Sequence, residues 1–101
     1  MLIYNTTIKV SWAIHDAWLQ WVKAEHIPQM MRCGSFTGYR FVQLLDTDEE
    51  EGPTYAIQYE LPDRQAYEHY QAQFAAGFRN EAFARWGNGF IGFHSLMQVV
   101  N

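Results

Sequence analysis

The sequence predicts an α+β fold: a four-stranded antiparallel sheet with two helices on one face, in the order βαββαβ. Three observations carry this. Four segments are rich in β-branched and aromatic residues and read as strands. Two others repeat apolar residues at helical spacing. Gly, Pro and acidic residues punctuate the joins between them.

The elements follow in order. Leu2 to Val10 alternates through Ile3, Tyr4, Thr6, Thr7, Ile8 and Val10, a first strand. Ser11 is placed to cap the first helix, whose stripe is Ile14, Trp18, Trp21 and Val22. Pro28 is expected to break or restart that helix near Ile27, because its ring clashes with the preceding turn. Residues 28–33 then add one turn, stopped by Gly34. Phe36 to Leu45 and Pro53 to Leu61 are the second and third strands, joined through the acidic loop Asp46 to Glu51. Asp63 after Pro62 caps a second helix with the apolar face Tyr67, Tyr70, Phe74, Phe78 and Phe83, ended by Gly87. Phe90 to Val100 is the fourth strand. This order packs as the ferredoxin-like arrangement.

The 101 residues suffice for a single domain, 1–101. Seven Lys and Arg against eleven Asp and Glu give a net charge of −4, which argues against a nucleic-acid or anionic-membrane partner. Apolar residues make up 49% and charged residues 18%, too apolar for a disordered chain. Cys33 is the only cysteine, so one chain builds neither a disulfide nor a cysteine-based metal site. Met1 to Val10 lacks a basic start followed by an apolar run, and no stretch is apolar enough to span a bilayer, so a cytoplasmic protein is expected.

Apolar residues occupy both faces of the second and fourth strands. Ile91, Phe93, Met97 and Val99 lie on one side of the fourth, and Phe90, Leu96 and Val100 on the other. A half-exposed sheet alternates more cleanly. Covering roughly 600–800 Å² more apolar surface contributes about 15–20 kcal/mol before association costs. A second copy packing sheet against sheet provides that cover, so the expected partner is the chain itself, as a homodimer.

Several segments carry a resemblance. Ile3-Tyr4-Asn5, Trp18 and Trp21 leading to His26-Ile27-Pro28, Gly52-Pro53-Thr54-Tyr55-Ala56 and Gln58-Tyr59 are four of them. Trp86-Gly87 and Leu96-Met97-Gln98-Val99-Val100-Asn101 continue it to the end. Together they resemble a bacterial family, the domain of unknown function 4286, within the dimeric α/β-barrel superfamily. The resemblance implies a sheet-to-sheet dimer but no assigned activity. The superfamily includes cofactor-free monooxygenases, haem-degrading monooxygenases, isomerases, dehydratases and proteins with no chemistry, so fold alone does not choose among them.

The candidate residues are few. The histidines His15, His26, His69 and His94 show no metal-ligand spacing, and no metal is expected. His26 continues the buried stripe four residues after Val22. It is a candidate general acid or base in a cavity between helices and sheet, or else a packed His bonded to a backbone carbonyl. Asn5 is the second candidate catalytic contact. Trp18, Trp21, Tyr55, Tyr59, Tyr67, Tyr70 and Phe74 form either a core or a pocket for a flat apolar ligand. The resemblance adds a haem alternative. In haem-degrading members an Asn on the first strand, a Trp on the third and a His on the second helix act together. Asn5, Tyr59 and His69 take those places here, with Tyr59 where the pattern has Trp.

Arg79, Arg85 and Lys23 form no basic strip, Cys33 reads as a buried inert thiol, and the glycines Gly87, Gly89 and Gly92 make no phosphate loop. The expected function is therefore binding of a small, largely apolar or aromatic ligand without a cofactor, with monooxygenase-like or acid–base chemistry. A non-catalytic assembly module is the alternative, and haem binding the third.

Overall fold

The computed structural model describes all 101 residues. Its strands are β1 (Leu2–Val10), β2 (Gly38–Gln43), β3 (Thr54–Leu61) and β4 (Phe90–Gln98), in the sheet order β2-β3-β1-β4. All pairings are antiparallel. The first helical rod is α1 (His15–Trp21), a wide π-helical turn (Val22–His26) and α2 (Ile27–Arg32). The second is α3 (Arg64–Tyr70), a π-helical turn (Gln71–Ala75) and α4 (Ala76–Trp86). This is the ferredoxin-like order the sequence predicts.

Register decides which residues face the helices. Tyr4 stands opposite Tyr59 and Leu96, and Thr6 opposite Ile57 and His94. Directly opposed residues share a face. Tyr4, Thr6, Ile8 and Val10 therefore look toward the helices together with Tyr55, Ile57, Tyr59 and Leu61. The core gathers there, and Trp18, Tyr59, Ile57, Leu61, Val10 and Val22 are its most completely buried large side chains. Ile3, Asn5, Thr7 and Lys9 take the opposite face, which no helix covers. There Ile91 is 73% and Phe93 63% exposed.

Several boundaries differ from expectation. Ser11 does not cap α1. Its Oγ accepts from Ala13 N at 3.2 Å, in a turn that precedes the helix by one step, and Ile14 is the cap residue. Pro28 does not break the rod. The π-helical turn lets Ile27 N donate to Val22 O, five residues back, and the wider loop accommodates a ring that would crowd an ordinary turn. Asp63 does cap α3, its Oδ1 accepting from Ala66 N at 2.9 Å.

The strand β2 is shorter than Phe36 to Leu45. Phe36 leaves the sheet and inserts its ring against Tyr59, with centroids 4.8 Å apart. β4 ends at Gln98 rather than Val100. In the second rod Phe83 is 66% exposed rather than on the buried face. Within α4 Phe83 follows Phe78 by five residues, about 140° around the helix, so it leaves the face that Phe78 keeps. The buried line runs Tyr70, Phe74, Ala75, Phe78, Ala82 and Trp86 instead.

Candidate functional site

Between the helical rods and the sheet lies a cavity of about 270 Å³. β1 supplies Tyr4, Thr6 and Ile8 to its wall, and β3 supplies Ile57 and Tyr59. Trp18, Trp21, Val22, His26 and Met30 come from the first rod. Tyr70, Ala75, Phe78, Arg79 and Ala82 come from the second, and Phe90, Gly92 and His94 from β4. Each π-helical turn delivers residues here: Val22 and His26 from one, Ala75 from the other. Wide turns of this kind often sit at functional sites because they re-aim side chains.

The wall is aromatic and its polar groups are sparse. The ring of His26 stacks on Trp21 at 4.8 Å and meets Phe78 edge-on at 6.2 Å. No hydrogen bond to its ring is present, so the packed His bonded to a carbonyl is not what forms. Burial pulls its pKa down to about 4, so the imidazole is neutral near pH 7. The Tyr59 hydroxyl and the Trp21 indole N–H are buried without a partner. An unpaired buried donor costs about 1–3 kcal/mol, and a ligand oxygen would relieve it. Burial holds the Tyr59 and Tyr70 hydroxyls firmly protonated. Tyr70 donates to Met30 Sδ at 3.6 Å.

At the sheet edge, the Tyr4 and Thr6 hydroxyls each lie 3.0 Å from His94 Nδ1. His94 is exposed, yet burial of its ring against the sheet, helped by the charge of Arg79, pulls its pKa below the usual histidine value. Arg79 is the one charged side chain of the wall.

Five of the residues expected at the site meet in this cavity: His26, Trp18, Trp21, Tyr59 and Tyr70. Three do not. Asn5 points to the open sheet face, opposite Gln58 and Ser95, where its Nδ2 donates to Thr7 Oγ1 at 3.0 Å. Strand parity puts it on the far side from Tyr4. Tyr55 packs beyond the cavity, its hydroxyl 2.7 Å from His15 Nε2. His69 is exposed and borders a separate shallow depression with Cys33 and Asp63. Asn5, Tyr59 and His69 thus stand at three separate places, and that set does not fit a haem. Cys33 is half-buried rather than enclosed.

Tyr4, Thr6, Phe78, Arg79 and His94 line the cavity too, and the sequence did not mark them as site residues. Alternation from Ile8 back through Thr6 to Tyr4 was the available signal for two of them. Nothing in the sequence aligned His94 with Thr6, since that depends on register. No three His, Cys, Asp or Glu side chains stand close enough together to hold a metal ion. No helix is long and apolar enough to cross a membrane.

Solved structures share this fold. One, described as an antibiotic biosynthesis monooxygenase, superposes with TM-score 0.70 at 16% identity, over 100% of each chain. A mutant of SnoaB from Streptomyces nogalater, a cofactor-independent oxygenase, gives TM-score 0.72 at 19% identity, over 99% of this chain and 93% of its own. A dimeric ferredoxin-like protein from an uncultured marine organism gives 0.65 at 16% identity, over 99% and 96%. At these identities the likeness is one of fold. No functionally curated protein matches the sequence. The family does match: residues 1–100 fit the model of the Domain of unknown function DUF4286, and the chain belongs to that family.

Proposed function

We propose that this chain works as a homodimer, paired sheet to sheet, and that each subunit holds one small, flat, largely apolar ligand between helices and sheet. The observation that carries the reading is the aromatic-walled cavity of about 270 Å³. Its volume approaches the range of small-molecule sites, about 300–1,000 Å³. The neighbours described as monooxygenase and cofactor-independent oxygenase support a class of chemistry that such a cavity can host.

Without a cofactor the substrate itself has to supply the electrons that reduce O₂. One step that balances in this way turns a methylene between activating groups into a carbonyl. One atom of O₂ enters the product and the other leaves as water (R₂CH₂ + O₂ → R₂C=O + H₂O). The protein must exclude water, hold the ring system flat and accommodate a proton. Trp21 and Phe78 provide walls for the ring. His26 is neutral and offers a ring nitrogen to a ligand hydroxyl. It takes up a proton only as negative charge forms beside it, because an adjacent anion restores the imidazolium.

A non-catalytic assembly module accounts for the apolar open face of the sheet, but the dimer accounts for it equally, and assembly gives no reason for the cavity.

Trp18 and Trp21 stand in the wall, so ligand binding is read by tryptophan fluorescence. Titration with flat aromatic and quinone compounds should give saturable quenching. Ala82→Phe, which fills the cavity from α4, should abolish it. No quenching across the panel, or quenching that survives in Ala82→Phe, refutes the reading.

A further inference from the structure

We infer that the ligand carries one anionic oxygen on its apolar body and enters body first, leaving that oxygen at the cavity mouth between Arg79 and His94. This rests on the cavity being a ligand site. No Asp or Glu belongs to the wall, and Arg79 is its only charged side chain. The ion pairs of the chain are His15 with Asp16 and Arg85 with Glu25, so Arg79 is neutralised by neither. On a chain of net charge −4, an unpaired cation at the rim of an apolar cavity stands against the background charge.

His94 adds a second group. Its Nδ1 is engaged by the Tyr4 and Thr6 hydroxyls. In the tautomer whose Nδ1 accepts from these hydroxyls the proton sits on Nε2, which has no protein partner and can donate to an anionic oxygen. The field of Arg79 already reaches this corner: it adds to the burial that lowers the pKa of His94, and it partly opposes the burial that raises that of Tyr4.

The orientation follows from desolvation. An anion taken deep among Trp21, Tyr59 and Phe78 would lose its hydration and find no cation already in place, since the ligand-free His26 is neutral and would first have to be protonated, whereas Arg79 is charged from the start. At the mouth Arg79 is exposed, so the anion keeps part of its hydration and gains a charge-assisted bond. A carboxylate and an ionised enol satisfy the same geometry.

Calorimetric titration of the intact protein with matched probes distinguishes these sources. The carboxylate pair is 2-naphthoate against 2-naphthamide. The enol pair is 2-hydroxy-1,4-naphthoquinone, ionised at neutral pH, against its 2-methoxy ether. At least one anion should bind about tenfold tighter than its neutral partner, and Arg79→Gln should erase the difference. Preference within only one pair identifies the oxygen type. Neutral probes that bind as tightly as their anions, or an anion preference that survives Arg79→Gln, overturn this inference and leave the cavity reading standing. If no probe of either pair binds, the cavity reading fails and this inference with it.

Discussion

His26 shows how far one side chain is changed by its position. A free histidine titrates near 6.5, whereas this one, desolvated beside Trp21 and Phe78, titrates at about 4. No carboxylate belongs to the cavity wall to offset the burial. Above about pH 6.5 the ring is neutral both folded and unfolded and has no linkage effect. As pH falls below that, the unfolded chain takes up a proton that the folded chain refuses. Stability is therefore lost on acidification, until the folded ring itself protonates near pH 4. At about pH 5 the loss from this one group is about 2 kcal/mol relative to about pH 7. Urea midpoints at the two pH values, at fixed protein concentration, should fall further for the native chain than for His26→Gln. Equal falls would show that the ring is not desolvated. Asn5 teaches a different lesson at this scale. Its distance from the cavity was legible, because Tyr4, Thr6, Ile8 and Val10 alternate with Asn5, Thr7 and Lys9 along one strand. Grouping Asn5 with Tyr59 ignored that parity. The pairing of Thr6 with His94 was not legible, since register is set by tertiary packing.

Among the elements, strands were read well because period two survives in the sequence, and β1 matches its expected bounds, Leu2–Val10. The helices were read only in part. Phe83 is apolar, yet at 3.6 residues per turn it falls about 140° from Phe78, on the far side of α4, and it is exposed. The π-helical turn at Gln71–Ala75 was not legible either. No residue type announces such a turn. Punctuation by glycine gives the sharper test. Gly87 ends α4 with φ 57° and ψ −128°, a conformation that side chains strongly resist, yet a Cβ there would meet nothing within 4 Å. Gly52 is different: a Cβ would overlap the Val10 carbonyl oxygen. That contact sits where β1 leaves the sheet, beside the Val10 N bond to Pro53 O at 3.0 Å. Gly87→Ala should therefore cost about 1–3 kcal/mol, the conformational term alone. Gly52→Ala must move backbone and should cost about 4 kcal/mol or more. Chemical denaturation of both variants checks the order. A Gly52→Ala protein as stable as Gly87→Ala would mean that the loop between β2 and β3 does not approach β1 this closely.

For the whole molecule the open sheet face is the deciding feature. Ile91, Phe93 and Met97 on β4 are exposed there, on the side away from the cavity. The polar residues of β1 on the same face, Asn5, Thr7 and Lys9, do not hide them. A face of this kind loses apolar exposure when a second copy covers it, and solved neighbours of the fold are described as dimeric. In the proposed dimer the two sides of the sheet divide the work: one side closes a cavity with the helices, and the other would join the subunits. Phe93→Arg separates these roles. Its side chain is 63% exposed in the single chain, so the change should leave the fold intact, with an unaltered far-ultraviolet circular dichroism spectrum. In a sheet-to-sheet dimer it would bury an unpaired guanidinium, a cost of several kcal/mol that the dimer cannot offset. Native mass spectrometry should give a two-chain mass for the native protein and a one-chain mass for Phe93→Arg. A native protein that runs as one chain at micromolar concentration would refute the dimer. A Phe93→Arg protein that stays paired would place the interface elsewhere, and the exposure of Ile91 and Phe93 would then call for a different partner. If subunits do pair through this face, thermal stability should rise with protein concentration in the native chain and stay constant in Phe93→Arg, because association stabilises the folded state by mass action.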